Sequence, residues 1–370
     1  MYRLIYYPVR GHELLKGSRS LQKPFIQINL NKKIQTVLAI VIAIGCIALG
    51  VSAGALSIPF SIIGQIFLHK WLAVPLPDGV TDVMKNVIWN VRLPRVVLAF
   101  LVGASLSLAG AAFQGLLKNP LADPYTLGVS SGASVGAVFV IFFQWQFPII
   151  NGLTLPFVSI AFALLTLWLV LRFAKAIDHH LRVETLILTG IIFSSFLGAV
   201  ITLFVALSGE ELRQIITWLM GSVAMRGWEF VYLLLPFFLI GALLIFFNIR
   251  ELNAFTFGEE VAKHLGVDTE QRKKMLLLGA SILTGASVAV SGTIGFVGLV
   301  IPHMVRLFIG SNHRWLLPHS LFYGGAFLVI ADLFSRTIIE PRELPIGVVT
   351  SFIGAPIFTF IFFRRRRKGM

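Results

Sequence analysis

Apolar residues along this chain gather into ten runs, near 34–56, 93–113, 125–147, 153–171, 185–207, 228–248, 275–294, 296–309, 315–335 and 346–363. Most reach the roughly 20 residues a helix needs to cross a hydrocarbon core about 30 Å thick. The eighth is shorter and needs shielding by neighbouring helices. The pattern predicts an all-α polytopic membrane protein with about ten transmembrane helices. No Ser/Gly linker or long charge block divides residues 34–370, which read as one transmembrane domain behind a basic tail, 1–33. The first run follows that tail without a small-residue cleavage site, so it reads as a retained span and not as a signal peptide.

Composition supports the same class. Hydrophobic residues make up 56% of the chain, only 13% are charged, and the mean hydropathy is +0.85; an ordinary soluble domain carries about 25% charged residues. The sole cysteine, Cys46, lies in an apolar stretch, which excludes a disulfide framework or a cysteine-based metal site.

The net charge of +14 is mostly topology. Lys32 and Lys33, then Arg272, Lys273 and Lys274, then the run at 364–368 fall on one side if the span count is even, so the positive-inside rule places both termini in the cytoplasm. Anionic lipid of the inner leaflet is the natural partner for this charge, and no nucleic acid is needed to explain it.

Three cations break that rule. Arg92, Arg95 and Arg336 fall at the outer ends of their runs. In one reading Arg336 pairs with nearby Asp332 while Arg92 and Arg95 snorkel to headgroups. In the other they form an exposed basic patch awaiting carboxylates, a task that suits the planar, always-charged guanidinium fork.

Small residues recur every fourth position at Gly103, Ser107, Ala111 and Gly115, and again at Gly128, Gly132 and Gly136. Such stripes let helix backbones approach closely, and packing within the subunit is the expected use. Between them, Asn119-Pro120-Leu121-Ala122-Asp123-Pro124 cannot continue a helix. It is either a plain turn or an element of a water-filled path.

Residues 253–268 form a long loop on the inner side. Val261, Ala262 and Leu265 share one face at helical spacing, and Gly266 is placed to stop the helix. This amphipathic segment either lies on the membrane surface or docks into a groove on a cytoplasmic partner.

Catalytic chemistry is not legible. There is no G-x-x-x-x-G-K-[ST] phosphate loop, so the chain is not expected by itself to hold and hydrolyse ATP in the usual way, and no dense metal-ligand spacing occurs. His303 and the pair His179-His180 are isolated and read as structural or interfacial. The runs carry almost no carboxylates, whereas an ion-coupled secondary transporter more often buries acids at mid-membrane. A secondary transporter and a membrane-embedded enzyme remain the rival classes.

Several motifs carry a family resemblance. They are Arg92-Leu93-Pro94-Arg95, Asn119-Pro120-Leu121-Ala122-Asp123-Pro124 leading into Leu127-Gly128-Val129-Ser130-Ser131-Gly132-Ala133, the stretch from Ser291-Gly292-Thr293-Ile294-Gly295-Phe296 to Ile301-Pro302-His303, and Glu343-Leu344-Pro345-Ile346-Gly347. Together, and in this order, they resemble the permeases of bacterial ATP-binding-cassette importers for iron-siderophores, haem and vitamin B12. The tail before the first run lies outside the resemblance.

The resemblance implies a ten-span subunit of the bacterial cytoplasmic membrane. It implies a second permease copy or sister permease, two cytoplasmic ATPase subunits, one external substrate-binding protein, and no cofactor. Arg92, Arg95 and Arg336 would receive acids of the binding protein. Gly258, Glu259, Glu260, Val261, Ala262, Leu265 and Gly266 would form the helices that insert into the ATPase, which alone hydrolyses ATP. Asn119, Pro120 and Leu121 would face the path near a cytoplasmic gate. Val183-Glu184 stands where small hydroxyl residues can occur on the gate's other side, a departure from the family pattern. A ferric siderophore is the first expectation for cargo, with haem and cobalamin as alternatives.

Overall fold

The computed structural model describes residues 31–54, 58–72, 75, 80–148 and 152–366. Most of the basic tail and the end of the C-terminal charge run lie outside the described residues.

Every regular element among the described residues is helical. α1 (Lys32–Ser52) starts at Asn31, whose side chain accepts from Lys33 N at 3.1 Å. α2 (Phe60–Leu72) follows, then α3 (Asp82–Asn86), which runs through a π-helical stretch, Val87–Arg92, directly into α4 (Leu93–Leu116). The widened stretch lies where the Pro94 ring would collide with the carbonyl of Asn90 in a regular helix. A 3-10 turn, Pro124–Leu127, leads to α5 (Val129–Phe142), α6 (Thr154–Ile177), α7 (Val183–Leu207) and the short α8 (Leu212–Leu219). Then come α9 (Trp228–Phe247), α10 (Ile249–Phe255), α11 (Glu259–His264), α12 (Thr269–Ser291), α13 (Val297–Ile309), α14 (His313–Thr337) and α15 (Ile346–Arg366).

Each of the ten apolar runs coincides with a helix, but the span count needs correction. Among the described residues, 7 helical stretches are long and apolar enough to cross a membrane: Lys32–Ser52, Asp82–Leu116, Thr154–Ile177, Val183–Leu207, Trp228–Phe247, Thr269–Ser291 and His313–Thr337. The other three runs give shorter apolar helices, Val129–Phe142, Val297–Ile309 and Ile346–Phe360. Backbone geometry explains two of them. The run at 125–147 opens with the 3-10 turn and the left-handed Gly128 (φ 75), and α13 is bounded by left-handed Phe296 (φ 70) and by Gly310 (φ 98).

α4 is the centre of the bundle, with 89% of its apolar window buried, against 6% for α7 at the periphery. Close approach is what the small residues provide. A Cβ on Gly103 would overlap the Gly324 carbonyl of α14, and one on Gly324 would overlap Ser107. Gly132 and Gly136 lie in the same way against Thr166 and Val158 of α6, so the stripes serve packing within the subunit. Gly110, outside the predicted stripe, meets the Gly298 carbonyl of α13.

α2 was not legible as a helix in the run pattern. Its Phe67 packs against Trp89 at 5.8 Å between ring centroids, the Lys70 ammonium sits 4.4 Å above the same indole, and Trp228 Nε1 donates to Trp89 O at 2.9 Å. Tryptophans clustered at a helix end are the signature of a membrane–water boundary.

Candidate docking, coupling and path sites

α4 spans the bundle between two polar regions, about 36 Å apart at 1.5 Å per residue. Arg95 sits in its first turn, and Lys118, just past its end, approaches Gly258 beside α11.

At the arginine end the three cations converge, but not as an exposed patch. Arg92 and Arg95 are 6% and 9% exposed, and the Arg336 side chain is 8% exposed. Arg95 is gripped by two carboxylates. Its Nε lies 3.0 and 3.1 Å from the two oxygens of Asp332, Nη2 is 2.9 Å from Asp332 Oδ1, and Nη1 and Nη2 reach Glu343 at 2.8 and 3.0 Å. Arg336 Nε is 3.6 Å from Asp332 Oδ2, the pairing in one of the two readings of the sequence. The expectation that Arg92 and Arg95 snorkel is corrected. Arg92 Nη1 donates to Val51 O at 3.0 Å and Ser52 O at 2.9 Å, and Arg336 donates to Gly50 O. Both therefore cap the C-terminus of α1, where orphan carbonyls and the negative end of the helix dipole attract cations. Glu343, with 41% of its side chain exposed, is the solvent-facing member of the cluster.

At the other end, the segment after α9 forms two short helices, α10 and α11. The stop at Gly266 is a Schellman motif: with Gly266 at φ 83, its N–H bonds Lys263 O at 2.9 Å and the Val267 N–H bonds Ala262 O at 3.1 Å. The single apolar face drawn from sequence needs revision. Ala262 is fully buried, whereas Val261 and Leu265 are 44% and 66% exposed. Residues 261 and 262 are about 100° apart around a helix, so one packs inward while the other turns out with its i+4 neighbour. Phe257, 73% exposed, extends the outward stripe.

Glu259 has a role that sequence reasoning missed. Its Oε1 lies 2.9 Å from Nζ of Lys273, a lysine with only 1% of its side chain exposed, and the same ammonium donates to His180 O at 3.0 Å and Leu181 O at 2.9 Å. In sequence Lys273 looked like one of a solvated basic cluster. Nothing in its spacing marks it as buried. The α6–α7 turn it touches is closed by Asp178, whose carboxylate accepts from His180 N at 3.0 Å and Arg182 N at 2.9 Å; these donors hold it below the usual carboxylate range.

Residues 117–128 carry the third region. Asn119 Oδ1 accepts from Leu121 N at 2.9 Å, an Asx turn that leaves Asn119 and Leu121 exposed with Pro120 half-buried. Asp123 caps the 3-10 turn, accepting from Tyr125 N at 2.9 Å, and burial pushes its carboxyl up to about 6. Tyr125 Oη then donates to Ile294 O at 2.7 Å, joining this loop to the irregular link between α12 and α13. That link meets the end of α8 and the start of α15: Ser222 N bonds Ser291 O at 2.7 Å, Ile346 N bonds Gly221 O at 3.0 Å, and Thr293 Oγ1 donates to Leu219 O. A cavity of about 590 Å³ opens there, lined by Met220, Thr293, Gly295, Gly347 and Phe352 among others. Two of the motifs carrying the resemblance thus meet at one irregular stretch of backbone. Met220 and Gly221, which complete it, had no signal in the sequence.

Comparison with known proteins identifies the family. The FecCD transport family model matches residues 40–364. The ABC transporter permease protein YvrB of Bacillus subtilis is 55% identical over 94% of this chain and 99% of its own length. The cobalamin import system permease protein BtuC of Halobacterium salinarum is 42% identical, covering 80% of this chain and 79% of that protein. A solved structure described as an inward-facing conformation of a metal-chelate type ABC transporter superposes with a TM-score of 0.78 at 31% identity, over 90% of this chain and all of that one. The rival classes of secondary transporter and membrane enzyme fall away, for the chain belongs to the FecCD transport family and is a multi-pass, non-catalytic permease subunit of a bacterial ABC importer.

Proposed function

We propose that this permease moves a metal chelate inward by alternating access, paired with a second permease copy. ATPase subunits dock at α11 and an external binding protein docks at the arginine cluster. One observation carries the reading: α7 is 6% buried although it is among the most apolar helices, with Leu188, Ile192, Phe196 and Leu203 all exposed. A helix so bare on its own chain suits a subunit interface that flanks a path. In this reading all ten apolar helices contribute to the membrane domain, the seven long ones spanning it and the three short ones shielded by neighbours, with both termini cytoplasmic. Asn119, Pro120 and Leu121 face the path from the α11 side, opposite Val183 and Glu184 at the start of α7.

For the cargo, cobalamin or haem stands ahead of the ferric siderophore first expected. The relatives from Halobacterium salinarum, Citrobacter koseri and Vibrio cholerae are named for cobalamin or vitamin B12, at 42%, 38% and 39% identity, and one from Yersinia pestis is named for hemin at 36%. The test is uptake by the complete complex in proteoliposomes, with cyanocobalamin, hemin and ferrichrome compared. ATP-dependent uptake of cyanocobalamin or hemin supports the order. Uptake of ferrichrome alone reverses it, and uptake that persists without ATP sinks the importer mechanism.

A further inference from the structure

We propose that Lys273 is a positioning residue that carries movement of α11 to the start of α7. The inference rests on the proposed docking of the ATPase at α11.

An ammonium has three N–H donors, and a lysine is stable in a dry interior only when all three are matched. Lys273 meets that condition with acceptors from two separate parts of the chain. Two are the carbonyls of His180 and Leu181 in the turn that opens α7, 93 and 92 residues away in sequence. The third is the carboxylate of Glu259, the first residue of α11. Lys273 itself stands in the opening turns of α12. One buried cation therefore pins together the beginnings of three helices.

The turn it holds is stiff. Asp178 bridges the backbone N–H groups of His180 and Arg182, and Leu181, 1% exposed, takes left-handed backbone (φ 49), which a leucine adopts only where its surroundings impose it. Val183 begins α7 one residue beyond Arg182. A stiff turn transmits displacement and does not absorb it. α11 and its flanks, in contrast, show Phe257, Val261 and Leu265 to solvent, where a partner can grip them. If α11 shifts, Glu259 must either drag Lys273 and the turn with it or leave a buried ammonium one acceptor short. Dragging is favoured, since breaking a buried pair by removing a partner is strongly unfavourable.

Hydrogen exchange in the assembled permease–ATPase complex, with and without ATP plus orthovanadate, tests this. In the wild-type protein, trapping changes exchange at α11 and at residues 183–188 together. In Lys273→Met the change at α11 persists, the ATPase still co-purifies, and the change at 183–188 is lost. Lys273→Arg, which keeps a buried cation and several donors, retains it. Glu259→Ala, which leaves both carbonyl bonds of Lys273 in place, loses it as Lys273→Met does, and unfolding midpoints close to that of the wild type show both variants to be folded. A trapping response at 183–188 in Lys273→Met equal to that of the wild type overturns the link alone. Absence of any response at α11 in the wild type overturns the docking reading, and this inference with it.

Discussion

Arg95 and Asp332 lie on different helices, 237 residues apart, yet share three hydrogen bonds of 2.9 to 3.1 Å in a site where Asp332 is 1% exposed. Asp332 also neutralises Arg336 at 3.6 Å, so one carboxylate serves two enclosed guanidinium groups. Asp332→Ala is therefore expected to destabilise the folded permease by about 3–5 kcal/mol, the cost of stranding buried cations. Glu343→Gln removes only the charge of a partner that is 41% exposed and should cost under about 1 kcal/mol. Unfolding midpoints of the two variants in detergent check the difference.

Glycines divide into those a methyl group cannot enter and those it can. A Cβ on Gly110 would overlap the Gly298 carbonyl, which is main chain and cannot swing aside, whereas Gly45 on α1 has nothing within 4 Å. Gly110→Ala should push α4 and α13 apart and lose about 1–3 kcal/mol or more. Gly45→Ala should be neutral, or gain up to about 1 kcal/mol from helix propensity. The same unfolding measurement applies, and equal effects at the two sites would contradict the packing described.

How much of this was written in the sequence depended on whether a signal is local. The apolar runs, the Gly103–Ser107 stripe and the Gly266 stop each declare themselves within a few residues, and each corresponds to a helix, a crossing or a cap. The Arg336–Asp332 pair was legible for the same reason, being four residues apart on one helix. Arg95 with Asp332, and Lys273 with Glu259, His180 and Leu181, depend on which helices lie side by side, and hydropathy does not encode that. Even locally, the Val261–Ala262–Leu265 face failed, because a six-residue helix carries too few positions to show which way its apolar side points.

Asp123 gives a pH dependence whose sign can be worked out. Its folded-state pKa, about 6, stands above the ordinary carboxyl value of 3.8, so folding favours the protonated form. Its contribution to stability is greatest below the unfolded value and declines as pH rises from about 4 through about 6. Roughly two units correspond to at most about 3 kcal/mol. Asp123→Asn keeps an oxygen to accept from Tyr125 N and cannot ionise. It should flatten the stability profile between pH 4 and 6 and be more stable than wild type at pH 7.5. Thermal unfolding across that range measures it, and parallel profiles would refute the shift.

On the α11 surface, Leu265 is 66% exposed and makes no contribution to the core, so its substitution probes docking without disturbing the fold. Leu265→Asp replaces an apolar contact worth about 1.5–3 kcal/mol on full burial. The ATPase should co-purify at least about 10-fold less tightly, while unfolding of the permease alone is unchanged. Normal co-purification would remove the stripe from the coupling surface.

The arginine cluster already holds a carboxylate where the proposed docking would place one. Glu343 occupies both Nη atoms of Arg95, at 2.8 and 3.0 Å, which is the bidentate position an incoming carboxylate would take. Arg92 and Arg95 themselves hold the fold together through Val51, Ser52 and Asp332, so reversing their charge tests folding and docking at once. Glu343→Gln separates the two, because it removes the charge that competes for the Arg95 fork and leaves the Asp332 bonds in place. If docking acids bind at Arg95, this variant should capture the binding protein about 3- to 10-fold more tightly, a gain of up to about 1.4 kcal/mol. The gain should fade as salt is raised, since the new pair would form at a solvent-facing edge. Weaker capture would instead mean that Glu343 contacts the binding protein directly, and unchanged capture at low salt would move docking away from Arg95.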